Sequence, residues 1–187
     1  MKRSLLAAAV AVAAAAVLAA CGSPAAPSPA AAAPTAAATS SAAAPATAPA
    51  QPAPAGVPAL TGTPTDLTKP TQAQAGTGTP PAGLVMQDVV VGTGPAAAPT
   101  NTVDVRYTGT LYTDGSVFDS SWSRGSDPIS FPLNRVVKGF SQGIAGMQAG
   151  GRRVLVIPPA LGYGDQTNGP IPGGSTLVFV VDLVKIS

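Results

Sequence analysis

What most limits the folding of this chain is where its large side chains stand. The one tryptophan, three tyrosines and four phenylalanines all lie between Tyr107 and Phe179. Hydrophobic residues make up 45% of the 187 positions, yet much of that is alanine concentrated in the N-terminal half. Alanine removes little apolar surface from water, so a substantial core has to form in the C-terminal part. The stretch from residue 82 onward, roughly 105 residues, is long enough for one modest core.

The same inventory removes whole classes of chemistry. There is no histidine and no glutamate, and the single cysteine is Cys21. Ser–His–Asp and Cys–His catalysis are therefore out, as is every zinc site that needs histidine. No pair of aspartates falls in a calcium-loop spacing, and one cysteine closes no internal disulfide. No cofactor and no metal are expected. The net charge of +2 comes entirely from Lys2 and Arg3; without them eight basic residues face eight acidic ones. A balanced domain with no basic stripe offers little to a phosphate backbone, so no nucleic-acid partner is expected.

Residues 1–20 read as an export signal. Lys2 and Arg3 precede an unbroken run of Leu, Ala and Val from Leu5 to Ala20, 16 residues, short of the ~20 that span a bilayer. The run ends Leu18-Ala19-Ala20-Cys21-Gly22-Ser23, which resembles the lipobox of bacterial lipoproteins. That resemblance implies cleavage before Cys21 and lipidation of Cys21 with palmitate-type acyl chains, which anchor firmly when several are present. An uncleaved anchor helix is the alternative, and both readings put the remainder outside the cytoplasm, held at the membrane. Residues 22–81 are rich in Ala, Pro, Thr and Ser, and carry no charge before Asp66. Their prolines block helix formation by the alanines, and with little to bury they are expected to be a disordered tether. Extended at about 3.1 Å per residue, such a tether reaches at most ~190 Å.

From Gly83 the texture changes to short β-branched runs punctuated by Gly and Pro. Strands are expected at 84–91, 102–111, 152–157 and 176–186. In the second, Val103, Val105 and Tyr107 share a face while Asp104 and Arg106 share the other. Asp114-Gly115 signals a tight turn. One segment suits a helix, Val137 to Met147, with Phe140, Ile144 and Met147 on one face. Gly139, Gly143 and Gly146 weaken it, so packing must hold it. An antiparallel sheet with one short helix on its face is an α+β fold.

These segments, VDVRYTGTLYTDGSVFDSSW, FPLNRVVKGFSQGIAGMQAGGRRVLVIPPALGYG and IPGGSTLVFVVDL, resemble the FKBP family of peptidyl-prolyl isomerases in order and spacing. The lead-in GLVMQDVVVGTG resembles its bacterial members. Coverage runs from about Gly83 to Ile186. The resemblance implies a twisted antiparallel sheet wrapped around a short helix, with a shallow apolar pocket between them that accepts a proline ring. Position by position, that pocket would comprise Tyr107, Phe118, Asp119, Ile129, Val136, Val137, Phe140, Tyr163, Ile171 and Phe179. Phe140 would be its floor, with Phe118, Val136, Val137 and Phe179 as walls. The Tyr163 hydroxyl and the Val137 N–H would meet substrate carbonyls. Asp119 would pair with Arg124 and the Tyr107 hydroxyl and fix the pocket edge.

Taken without the resemblance, the phenylalanines could equally be plain core, and Asp119–Arg124 an exposed ion pair. Trp122 fits either surface packing or a substrate contact. The chain departs from the family's habit at three places: Phe140 where tryptophan is common, Ile129 where an aromatic is frequent, and a loop GDQTNGPIPGG without histidine. The first two make the apolar platform smaller. The implied partners are proline-containing unfolded or exported polypeptides and, as ligands, tacrolimus-type macrolides; a monomer is expected. The implied activity is rotation of Xaa–Pro bonds during extracytoplasmic folding. A non-catalytic proline-peptide-binding module or holdase is the competing reading.

Overall fold

The structure is a computed structural model and describes residues 54–187. The expected signal peptide 1–20, the lipidation site Cys21 and the first part of the tether lie outside the described residues. Among the described residues no helix is long and apolar enough to cross a membrane.

Among the described residues eight strands run in the order β1 (Leu60–Thr61), β2 (Gln72–Ala73), β3 (Val85–Val90), β4 (Thr102–Leu111), β5 (Val117–Ser120), β6 (Ile129–Pro132), β7 (Gly151–Ile157) and β8 (Leu177–Ile186). One helix, α1 (Lys138–Ile144), falls between β6 and β7. Strands β3-β7-β8-β4-β5 form the main sheet in that order, and β6 joins β4 beside β5. All pairings are antiparallel. Strand β4 organises it: β8 runs along the whole of one edge, while β6 pairs with its first half and β5 with its second. The four long strands fall within a residue of the sequence expectation; the short β5 and β6 are strands beyond those expected.

Alternation along β4 turns Val103, Val105 and Tyr107 toward α1, where they join Phe140, Ile144 and Met147 in one core. The helix glycines have a packing purpose. A methyl group on Gly143 would lie 2.6 Å from the Leu155 side chain, and one on Gly139 would collide with Ile157. Their absence lets the helix backbone settle onto β7. The helix is shorter than the sequence suggests because Gly146, at φ 78°, turns the chain and gives its N–H to Ala97 O at 2.8 Å.

The other face of the sheet overturns the expected tether boundary. Tyr112, Val154, Val156, Val178 and Val180 are buried there beneath Ala73, Val57 and Leu60. Residues 54–81 are thus a strap on the domain and contain the β1–β2 hairpin. Small residues suffice because the sheet supplies the bulk: Gly76 presses on the Tyr112 ring where no Cβ would fit. Arg152 fastens the strap. Its side chain is 1% exposed and paired with Asp182. Nε and Nη2 reach the two carboxylate oxygens at 2.5 and 2.7 Å. The remaining N–H groups go to the strap: Pro64 O at 2.9 Å, Thr71 Oγ1 at 2.6 Å and Lys69 O at 3.0 Å. A buried guanidinium costs little only when all its donors are met, and the strap meets three of them.

A chain beginning at residue 82 would therefore bare Tyr112 and four valines and leave three of the Arg152 N–H groups without acceptors. It should be less stable than one beginning at 54 by more than about 4 kcal/mol, read as a fall in Tm. Equal Tm values for the two would show the strap to be passive.

Candidate active site

Between α1 and the sheet opens a cavity of about 540 Å³. Tyr107 enters it from β4, Phe118 and Asp119 from β5, and Phe179 from β8; Phe140 of α1 also lines it, 5% exposed. The aromatic rings meet edge to face or tilted. Phe140 lies 5.2 Å from Phe179, 6.3 Å from Tyr107 and 6.2 Å from Phe131, centroid to centroid. Phe118 stands on Phe179 at 5.4 Å. Such contacts contribute about 0.5–1.5 kcal/mol each beyond area burial and leave the rings little freedom. Gly109 makes the wall possible: a Cβ there would lie 2.6 Å from Phe118 and 3.0 Å from Phe179.

A polar edge is built on the same strands. Ser120 caps a single 3-10 turn, Ser121–Arg124, by accepting the Trp122 N–H. Buried Ser121 takes the Tyr107 N–H at 2.9 Å, which binds the turn to β4. The turn brings Arg124 back over Tyr107, where Nη1 donates to Asp119 Oδ1 at 2.7 Å and Nη2 to the Tyr107 hydroxyl at 2.8 Å. The Tyr107 hydroxyl donates to the other Asp119 oxygen. Burial, reinforced by Asp119, pushes the Tyr107 hydroxyl up to about 12. For Asp119, partial burial opposes the charge, but the hydrogen bonds from Arg124 and Tyr107 outweigh it and hold the carboxyl below its ordinary value. Arg124 is too exposed for this pair to add much stability; its effect is to fix where Asp119 points.

Two donors on residues that line the cavity have no hydrogen-bond partner among the described residues: the Val137 N–H and the Tyr163 hydroxyl. Val137 precedes α1, and its carbonyl accepts from Phe140 and Ser141 at 3.0 and 3.1 Å, leaving the N–H outside the helix ladder. The far rim is a hairpin in the β7–β8 connection. Asn168 and Ile171 exchange backbone hydrogen bonds at 2.9 and 3.0 Å around Gly169-Pro170, with Gly169 at φ 56°.

Of the ten residues expected in the pocket, nine line it. Ile129 does not. It pairs with Val105 and packs into the core half-buried, and Phe131, two residues along the same face of β6, takes the wall instead. Arg124 stands behind Asp119 rather than in the lining. Trp122 stacks beneath Arg106, 5.4 Å from guanidinium carbon to ring centroid, and does not line the cavity. Sequence reasoning missed Phe131, Arg135, Asn168, Gly169 and Pro170. The alternation Ile129-Ser130-Phe131 could have revealed the first. Among the described residues no group of three or more His, Cys, Asp or Glu could hold a metal.

This geometry coincides with what comparison with known proteins finds. Residues 94–184 match the family described as FKBP-type peptidyl-prolyl cis-trans isomerase. A probable FK506-binding protein of Corynebacterium glutamicum is 44% identical over 114 residues, 61% of this chain and 96% of that protein. An FK506-binding protein of Streptomyces anulatus is 46% identical over 58% of this chain and 90% of its own length. Among solved structures, AtFKBP13 superposes with a TM-score of 0.52 at 39% identity, covering 57% of this chain and 95% of that one. FkpA from Escherichia coli gives 0.53 at 46% identity, covering 56% of this chain and 48% of that one. The chain belongs to the FKBP family, and it is a peptidyl-prolyl cis-trans isomerase. The strap at 54–81 precedes residues 94–184, the segment that the family model matches.

Isomerisation suits a site without histidine. Rotation about an Xaa–Pro bond breaks amide resonance against a barrier of ~18–20 kcal/mol, but no bond is made and no proton has to move. The twisted amide has less charge separation than the planar one, so an apolar cavity that replaces water favours it. Each tenfold acceleration needs about 1.4 kcal/mol of that preference.

The pH dependence follows. Asp119, with a lowered pKa, keeps its charge and its share of stability above the ordinary carboxylate range and loses both as pH falls through the lowered value. Tyr107 keeps its proton until pH rises toward about 12. Activity on a neutral peptide should thus be level from about pH 5 to 9, fall in more acidic solution, and fall on the alkaline side only as pH approaches about 12. A limb near neutrality would contradict this account.

Proposed function

We propose that this isomerase is lipid-anchored outside the cytoplasm through Cys21 and speeds folding of exported chains by turning their Xaa–Pro bonds. The observation that carries the anchoring is positional: the one cysteine stands where the apolar run Leu5–Ala20 ends. Prolyl isomerisation takes tens of seconds unaided and limits the folding of many chains. A catalyst that needs no ATP fits a compartment where chains arrive unfolded. The strap residues Val57, Leu60 and Ala73 pack on the sheet face opposite the pocket.

In this reading a proline ring rests on Phe140 between Phe118, Val136, Val137, Ile171 and Phe179. The Val137 N–H and the Tyr163 hydroxyl hold carbonyls of the peptide, and Asp119, positioned by Arg124 and Tyr107, shapes the field at the edge. The two open donors support it. The relatives named FK506-binding proteins support tacrolimus-type macrolides as competing ligands.

Cells given labelled palmitate should incorporate it into the native chain and not into Cys21→Ser, with the native protein in the membrane fraction. Unlabelled native protein would remove the anchor from the proposal. A proline-limited refolding reaction should accelerate with the native chain and slow again when tacrolimus is added. Refolding at the unaided rate would argue against the folding role.

A further inference from the structure

Two residues that line the cavity carry charge, Asp119 and Arg135. They differ in how that charge is met. Asp119 is held by Arg124 and by the Tyr107 hydroxyl. The exposed Arg135 guanidinium has no ion pair or hydrogen bond with any described residue. Its place is nonetheless fixed. It ends the single 3-10 turn Leu133–Arg135, whose Leu133 is 1% exposed in the core. The next two residues are the wall residue Val136 and the N–H donor Val137. Lys138, also exposed and unpaired, adds charge of the same sign one residue further on.

An unpaired cation carried by a fixed turn on the rim of a peptide pocket discriminates among the residues beside the proline. We propose that Arg135 is a specificity determinant, favouring Xaa–Pro segments that carry a carboxylate side chain immediately before or after the proline. The proposal rests on this pocket being the isomerase site. The attraction acts in solvent, so it is modest and fades with salt: a preference of about three-fold at low ionic strength is the scale for such a pair. A lysine beside the proline would be disfavoured by the same field.

The test compares four peptides, with Glu or its neutral isostere Gln placed before or after proline, by cis/trans exchange with the full native chain. The readout is the Glu-to-Gln ratio of kcat/KM, which cancels general effects on activity. We expect a ratio of about 3 at one or both positions at low salt, declining toward 1 at high salt. Arg135→Gln should bring the ratio to about 1, and Arg135→Glu should invert it. Equal turnover of Glu and Gln peptides by the native chain, or a preference that survives in Arg135→Glu, overturns this proposal alone. No turnover of any of the four by the native chain overturns the isomerase reading together with it.

Discussion

The pocket depends on the edge-to-face contact of Phe140 with Phe179, because that contact joins the helix to the sheet and supplies the floor at once. It can form only because glycines stand opposite bulky side chains. Gly139 and Gly143 let α1 descend onto Ile157 and Leu155, while Gly109 leaves room over β4 for Phe118 and Phe179. Residues that would weaken an isolated helix or strand are thus the ones that permit close packing. The core then supports a cavity that is apolar at its base and carries its polar groups along one edge and at the two open donors.

A second constraint acts on the far side of the sheet. Arg152 and Asp182 face each other across β7 and β8, and both are buried. Such a pair is expensive to take out of water unless every donor finds an acceptor. Three of the acceptors come from the strap, more than eighty residues away in sequence. The buried charge therefore specifies where the strap lies as well as that it lies there, while the valines beneath it contribute the apolar part. The functional face and the strapped face share β4, β7 and β8 but not their side chains.

Much of this was legible in the sequence. Short β-branched runs bounded by Gly and Pro revealed the four long strands, and the phenylalanine and tyrosine positions revealed the pocket through their resemblance to the FKBP family. What escaped was governed by partners distant in sequence. The strap has no aromatic and few large apolar residues, so composition marked it as tether; its order comes from Tyr112, four sheet valines and Arg152, none of which is local to it. Ile129 and Phe131 share one face of a four-residue strand, and only the register with β4 decides which of them reaches the cavity. Arg135 has no local pattern at all: its place follows from the turn that Leu133 buries.

The central claim is that an apolar cavity with two open donors and a fixed carboxylate turns prolyl bonds without acid–base chemistry. Its most direct test is the cis/trans exchange rate of an Ala-Leu-Pro-Phe peptide with the full chain, beside the double variant Tyr163→Phe, Asp119→Asn. The account predicts clear acceleration by the native protein and a loss of about tenfold or more in the variant. A folded native protein that leaves the peptide at its unaided rate would contradict it, as would a variant of undiminished activity.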